Sequence, residues 1–424
     1  MLYDFDVAIV GGGPVGASLA YRLALQGISV AVFDKKKFVG YPLQCAGILS
    51  KSVFELNDLP DDVIINKVKG AFLHSPNYTL KVEKNETEAL IIDRVGYDQY
   101  LINRAVNHGV KVFLQHKVID LNLKEGIVNT NKGEFKARII VGADGCNSLV
   151  SKTMGNKLKY SPACQYLVRL GDSDTSKLSL SHVDVFVNSS VLPGFLWSIP
   201  LGDNLFRIGL FSDNKIKGDS NILDDFLNNC GEFENNNLNI TDYEIIEKYR
   251  GNIPFYDKNK IIVKDRAILI GDAASQVKPT TGGGLIYGFS AIDIAVDTIK
   301  DTLLKDDVSV LKNYSKEFKK LYSGELNTEV KVHNTLNILS DRNLDYLFKK
   351  IKENNGERLI SEYGDMDKQS GLVKDVLKRG LLFKITPKVI SSKISSIWSW
   401  IHTLIMVIYL YFDLRFIKMN LLFI

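Results

Sequence analysis

DVAIVGGGPVGASLAYRLALQGISVAVFD, residues 6–34, is the stretch from which the rest of the chain is understood. DVAIV (6–10) is a short continuous apolar run, rich in β-branched residues and bounded by glycine, as a buried parallel strand requires. Val15, Leu19 and Leu23 then recur at helical spacing, up to Gly27 as a natural C-cap. ISVAVFD (28–34) is a second buried strand, so the stretch predicts one β-α-β unit. Between strand and helix stands Gly11-x-Gly13-Pro14-x-Gly16. Gly11 permits a tight turn, Gly13 lets a pyrophosphate approach the backbone, and Gly16 allows close helix–strand packing; the helix N-terminus favours the phosphate charge. Asp34, at the end of the second strand, is placed to accept hydrogen bonds from ribose hydroxyls. A lone GxGxxG can be an incidental Gly-rich turn, but here strand, helix, strand and terminal acid are all in place, which points to a dinucleotide.

Working outward, 424 residues exceed what one hydrophobic core usually supports, so several domains or an interleaved architecture are expected. With 45% hydrophobic and 24% charged residues the composition is that of an ordinary folded protein. Fifty-three Lys+Arg against 49 Asp+Glu leave a formal +4, too little to imply a nucleic-acid partner. Cys45, Cys146, Cys164 and Cys230 stand far apart without a CxxC pair, and the histidines form no HxxxH or HxH. Neither a metal site nor a disulfide framework is therefore expected. The acidic start MLYDFD runs straight into a strand pattern rather than a signal peptide, which places the N-terminus on the cytoplasmic side.

Residues 68–92 alternate apolar and polar positions as antiparallel strands do. RVGYDQYLINRAVNHG then predicts a helix, VKVFLQHKVIDLNL (110–123) a strand, and the following segment a hairpin ending in the buried strand 137–141. Residues 160–255 are again strand-like, RAILIGD is a third nucleotide-type strand, and from about residue 300 the pattern is mainly helical. Nucleotide-type strands separated by two antiparallel insertions predict two interwoven domains. The expected division is 1–67, 93–158 and 256–300 for the nucleotide domain, 68–92 and 159–255 for an antiparallel-sheet substrate domain, and 301–424 for a helical end.

A second motif follows the strand RAILI: Gly271-Asp272-Ala273-Ala274, then Pro279-Thr280-Thr281-Gly282-Gly283-Gly284. An acid at a strand end can bind a ribityl hydroxyl, while glycines opening a helix present bare N–H groups to the electron-rich edge of a planar ring. Taken alone, the same residues make an ordinary strand-to-helix turn with a capping acid.

With both motifs present the chain resembles the glutathione-reductase-type FAD enzymes, in particular the p-hydroxybenzoate-hydroxylase-like flavoproteins. Asp93-Arg94 before a helix, and Gly142-Ala143-Asp144-Gly145 with Ser148, match that group too. The resemblance implies FAD as cofactor, Arg94 near its phosphates, and Asp144 near FAD and the reductant. The combination is more similar still to the geranylgeranyl reductase family, including archaeal digeranylgeranylglycerophospholipid-type reductases. Three segments carry this: the cysteine loop PLQCAGILS, LPGFLWSIPLGDNLFRIGL, and VKPTTGGG. The family's substrate-site signature, approximately P-x-G-Y-x-W-x-F-P, aligns with Pro193 to Pro200; Phe195 replaces its tyrosine and Ile199 its phenylalanine. The resemblance spans roughly residues 4–300. It implies a mixed α/β fold with an FAD domain interleaved with an antiparallel substrate domain, a prenylated lipid substrate, and a wall for its chain at Pro193, Phe195 and Trp197. It also implies saturation of carbon–carbon double bonds by hydride from reduced FAD with a proton from an acid. FAD would be held by Gly11, Gly13, Pro14, Gly16, Asp34, Arg94, Asp144, Asp272 and Gly282 to Gly284.

Cys45 is the candidate for that acid, since a thiol in an apolar site keeps its proton at neutral pH; a small buried cysteine is also a common packing residue. No second GxGxxG follows, so the reductant is NAD(P)H docking transiently or a protein such as ferredoxin. Other activities compatible with such motifs are reduction of a quinone's prenyl chain, electron transfer to quinone, FAD-dependent monooxygenation, and lipid binding without catalysis.

From Ile394 to Phe412 the chain carries no Lys, Arg, Asp or Glu, close to the roughly 20 residues that span a hydrocarbon core. Lys374, Lys378, Arg379, Lys384, Lys388 and Lys393 precede it, opposed by Asp375 alone. A basic flank suits an anionic membrane face, and Trp398, Trp400, Tyr409 and Tyr411 suit the interface. Membrane association is the first expectation for residues 394–412; helices closing a lipid tunnel, or a dimer helix, are the alternatives.

Overall fold

The computed structural model describes residues 2–43, 45–172, 179–212, 219–228 and 242–367. By contact density the chain divides into Met1–Leu372 and Val373–Ile424; Cys230 and the apolar stretch 394–412 lie outside the described residues.

β1 (Phe5–Val10), α1 (Pro14–Ala24) and β2 (Val30–Phe33) form the expected unit, with β1 and β2 parallel. Val7, Ala8 and Ile9 are fully buried because the strand is covered on both faces, which is why its sequence is continuously apolar rather than alternating. The helix stops earlier than its apolar spacing suggests. Leu25 is the C-cap, and Gly27 at φ +74° serves the turn beyond it.

The sheet built on this unit has the order β17-β18-β11-β1-β2-β8, parallel from β18 to β8 with β17 antiparallel at its edge, where β8 is Lys111–Phe113, β11 Gly133–Gly142, β17 Val263–Lys264 and β18 Ala267–Leu269. The three nucleotide-type strands of the sequence, β1, β11 and β18, are thus direct parallel neighbours. The first half of β11 pairs antiparallel with β10 (Ile127–Thr130), which pairs with β9 (Val118–Asn122). Residues 110–123, expected as one strand, are two. The chain breaks at Gln115 (φ +57°), where the Gln115 and His116 amides donate to the carbonyls of Lys36 (3.0 Å) and Asp34 (2.9 Å). Those contacts tie the break to the end of β2.

A seven-stranded sheet has the order β16-β12-β15-β14-β13-β5-β6. Its members are β5 (Gly70–His74), β6 (Thr79–Glu83), β12 (Tyr160–Leu170), β13 (His182–Phe186), β14 (Phe195–Gly202), β15 (Leu205–Phe211) and β16 (Tyr243–Pro254). A three-stranded sheet, β3 (Ile48–Ser50), β7 (Ala89–Ile92) and β4 (Ile64–Val68), stands beside it, so residues 89–92 leave the larger sheet.

Helices α2 (Ser52–Leu56), α3 (Arg94–Asn107), α4 (Leu149–Thr153), α5 (Asp219–Asn228), α6 (Leu285–Lys305), α7 (Lys312–Leu336), α8 (Asp341–Glu353) and α9 (Gly356–Tyr363) complete the described architecture. It is a mixed α/β fold with parallel and antiparallel sheets and C-terminal helices, as the sequence predicts. The edge strand β6 would expose bare amides. Instead α9 covers it, with Glu357 accepting from the Lys81 amide (2.8 Å) and Ser361 Oγ from the Glu83 amide (3.1 Å). Asp345 of α8 gathers the 75–78 turn, accepting from Ser75 Oγ and from the Asn77 amide and side chain at 2.7–2.9 Å. Among the described residues no helix is long and apolar enough to cross a membrane.

Candidate active site

Gly11 has φ +104°, in the left-handed region, and a Cβ there would come closer than 3.0 Å to the Ala143 carbonyl of the neighbouring strand end. At Gly16 the obstacle is the Gly11 carbonyl oxygen. These two glycines press α1 against the β1–β11 pair. Gly13 differs. Its Cβ would meet nothing within 4 Å, so the backbone at the amino end of α1 faces open space. Pro14 occupies the first turn of the helix, where no amide is needed.

Asp34 is buried, accepting from the Gly12 amide through Oδ2 and from the Lys36 amide through Oδ1, both at 2.8 Å. The acid therefore fixes the glycine turn and the end of β2 together. Arg94 opens α3, capped by Asp93, and is 8% exposed. Burial opposes its charge, but Asp98, 3.1 Å from Nη2, outweighs this and holds the guanidinium protonated. Its Nε is buried without a partner. Asp144 accepts from Ser148 Oγ (2.5 Å) and the Leu149 amide (2.6 Å), so this acid also caps α4; burial raises its pKa. Asp272, raised likewise by burial, faces Gly284, where a Cβ would sit 2.6 Å from Oδ1.

The turn before α6 closes on itself, with the Lys278 amide donating to the Gly283 carbonyl (3.0 Å) and the Gly282 amide to the Lys278 carbonyl (2.9 Å). Thr281 Oγ1 is buried there without a partner. Behind the turn lies Glu329 of α7, fully buried, accepting from Thr280 Oγ1 (3.2 Å) and Tyr287 OH (3.5 Å). Burial pushes its carboxyl up to about 7.

A cavity of about 560 Å³ runs from this turn between the seven-stranded and three-stranded sheets. Phe195, Trp197 and Ile199 line it because alternate residues of β14 share a face. Leu196, between them, packs on the opposite side with Leu223 and Phe226 of α5. Phe195 lies edge-on to Trp197 and Phe211, at centroid distances of 6.0 and 5.0 Å. The wall is completed by Val68, Val183, Ile253 and Leu285, and by residues 364–367.

Cys45 lines the same cavity. Its carbonyl accepts from Gln165 Nε2 (3.3 Å), whose Oε1 accepts from Trp197 Nε1 (3.0 Å), so one buried glutamine joins the cysteine loop to the aromatic wall. Arg207, 6% exposed, donates through Nη1 to the carbonyls of Ala46 (2.9 Å) and Ile92 (3.2 Å), and burial lowers its pKa. Gln165→Leu strands the indole N–H and loosens the loop. Urea unfolding is expected to show a loss of about 1–3 kcal/mol, and an unchanged midpoint would mean the bridge carries no stability.

Residues 4–187 match the FAD binding domain family. An uncharacterized protein of Methanocaldococcus jannaschii is 31% identical over 396 residues, covering 90% of this chain and 98% of the relative. Digeranylgeranylglycerophospholipid reductase 1 of Methanococcoides burtonii is 27% identical over 370 residues, covering 82% and 88%. Among solved structures, a geranylgeranyl bacteriochlorophyll reductase-like protein from Thermoplasma acidophilum superposes with a TM-score of 0.76 at 23% identity, covering 90% of this chain and 98% of that one. The chain belongs to the geranylgeranyl reductase family. Like the other members of this family of FAD-dependent oxidoreductases, it takes FAD as its cofactor.

The residues present fit FAD. Open space at Gly13 meets the amino end of α1, and the unpartnered Arg94 Nε and Thr281 Oγ1 are buried donors awaiting an acceptor. Cys45, Phe195, Trp197, Gly282 and Gly283 meet at one cavity, while Gly11, Gly13, Pro14, Gly16, Asp34, Arg94, Asp144, Asp272 and Gly284 are outside its lining. Pro193 does not line it either; its cis bond to Leu192 turns the buried chain into β14. Sequence patterns gave no sign of Gln165, Glu329 or Asp367 as site residues, while Arg207 and Lys278 lie within the quoted segments LPGFLWSIPLGDNLFRIGL and VKPTTGGG without being singled out there. A glutamine or arginine on a strand, or a glutamate on an amphipathic helix, looks like any surface residue until the partner is seen. Among the described residues no group of three or more His, Cys, Asp or Glu could hold a metal.

Proposed function

We propose that this protein saturates carbon–carbon double bonds of geranylgeranyl chains carried by archaeal-type membrane lipids or their isoprenoid precursors. The observation that carries the proposal is the apolar cavity whose lining brings Cys45, Gly282 and Gly283 together with Phe195 and Trp197. Curated relatives named digeranylgeranylglycerophospholipid reductases support the same substrate class. Segments 1–67, 93–158 and 256–300 would carry the cofactor, 68–92 and 159–255 the substrate wall, and 301–424 the helical end. Reduced FAD supplies a hydride equivalent. The protein's part is to bury the chain against that group, exclude water, and deliver the matching proton, for which Cys45 is our candidate. Hydride and proton together add two hydrogens across the double bond, and the thiol regains its proton from solvent. The reductant is NAD(P)H or a ferredoxin. The apolar stretch 394–412 with its basic flank would hold the enzyme at the membrane surface where such lipids reside.

The test is anaerobic reduction of the flavin, addition of unsaturated archaeal-type lipid, and mass spectrometry. A gain of two hydrogens per double bond is expected; no product from any prenyl lipid would sink the proposal, and turnover only with oxygen would make the protein a monooxygenase. In the same assay Cys45→Ser is expected to retain FAD and lose at least about 100-fold in rate. An unchanged rate would leave Cys45 as a packing group.

A further inference from the structure

We propose that Lys278 is the fixed cation that faces the electron-rich edge of the flavin ring and stabilises its reduced, anionic form, with Asp367 as the residue that positions it. The inference rests on the reading of residues 278–284 as the flavin-side turn.

Lys278 is 4% exposed and lines the cavity. Its backbone closes the glycine turn, and its side chain crosses over that turn: a Cβ on Gly283 would lie 2.6 Å from Lys278 Cε and 3.3 Å from Nζ. The ammonium therefore sits against the glycine whose bare backbone admits a ring edge. An ammonium has three N–H donors. One goes to the Met366 carbonyl (2.8 Å) and one to Asp367 Oδ1 (3.0 Å); no third acceptor lies among the described residues. Asp367 is held on its other side by Ser50 Oγ at 2.5 Å. Burial alone would raise the pKa of this carboxyl, but Lys278 and Ser50 outweigh burial and lower it.

A buried charge of this kind is costly unless paired and fully hydrogen-bonded. Asp367 and the Met366 carbonyl take two of its N–H groups, and Glu329, behind the turn, is near enough for Lys278 to oppose the rise of its pKa; this leaves one N–H of an ammonium that lies in the cavity wall beside Gly283. Two-electron reduction of a flavin places negative charge on its N1–C2=O edge. A cation held close to that edge in a poorly screened site favours the reduced form. The competing role is purely mechanical, a tie between the 364–367 segment and the turn.

The test uses the full chain with FAD bound and needs no lipid. Lys278→Met combined with Asp367→Asn removes both charges without stranding a carboxylate. Asp367→Asn alone leaves the ammonium, and Lys278→Arg keeps a cation. The readouts are the midpoint potential against a reference dye and the spectrum of the reduced flavin as pH is varied. The double variant is expected to shift the two-electron equilibrium by about tenfold toward oxidised flavin, about 30 mV, and to raise the pH at which the reduced flavin ionises. Lys278→Arg and Asp367→Asn are expected at or above the wild-type potential. A double variant with FAD bound at the wild-type potential overturns the inference, and so does loss of FAD from all three variants, which would make the pair a structural tie. A wild-type potential in the double variant leaves the reductase proposal standing, whereas a shifted potential in an enzyme that saturates no prenyl chain does the reverse.

Discussion

Gly16→Ala is expected to give a protein without bound FAD, destabilised by at least about 3 kcal/mol, whereas Gly13→Ala folds normally and loses only cofactor affinity. The contrast comes from what a single methyl group would meet. At Gly16 it runs into the Gly11 carbonyl oxygen and lies 3.0 Å from Ala143 Cβ, and neither can retreat, because β1 and β11 are paired from Phe5–Ala137 to Val10–Gly142. Helix α1 would have to lift off the sheet, disturbing Leu19, Ala20 and Leu23, all fully buried. At Gly13 the backbone is extended, with φ −66° and ψ 178°, a conformation alanine adopts freely, and the methyl group enters open space. That space is where a pyrophosphate would approach. The expected result is a fold within about 1 kcal/mol of wild type and FAD affinity lower by about tenfold or more. Flavin absorbance after gel filtration and urea unfolding measure both. A yellow, fully stable Gly16→Ala protein would mean that the tight helix–strand contact is not needed.

The second large effect is a pH dependence written into Glu329. Its folded-state pKa is raised by burial from 4.5 to about 7, with Lys278 and the Thr280 hydroxyl opposing and Glu325 adding to the rise. The folded state therefore holds a proton that the unfolded chain releases. The contribution of Glu329 to stability is fully present below its unfolded value of 4.5 and is lost as pH rises through about 7. The difference corresponds to about 3 kcal/mol. Glu329→Gln keeps an acceptor for Thr280 without the ionisation, so it should match wild type near pH 4.5 and exceed it by about 3 kcal/mol above about pH 8. Taking the difference between the two proteins removes every other titrating group they share. Parallel stability curves across that range would show that Glu329 ionises freely in the fold.

Where local chemistry dictates structure, the sequence was readable. Gly11-x-Gly13-Pro14-x-Gly16 has one sterically permitted use between a strand and a helix, and the apolar runs of β1, β11 and β18 require burial on both faces, so the parallel sheet followed. The alternation of Phe195, Trp197 and Ile199 likewise announced one face of a strand. What could not be read was pairing across distance. Gln165 contacts residues 120 and 32 positions away, and Lys278 meets Asp367 across 89; a one-dimensional pattern has no term for such meetings. Residues 110–123 misled for a related reason. Apolar residues recur on both sides of Gln115 and His116, yet the carbonyls of Lys36 and Asp34 hold those two amides and break the stretch into two strands.

The cavity wall is assembled from Cys45, early in the chain, and Asp367, the last of the described residues. On the ribosome, then, a nascent chain that has completed its described strands still presents an open apolar trough and an uncovered β6 edge. Both wait for α9 and the Asp367 segment, which are among the last described residues to emerge. Until those residues are made, the greasy surface meant for a substrate is as available to a neighbouring nascent chain. The order of synthesis thus makes the closing segment a safeguard of solubility as well as a piece of the site.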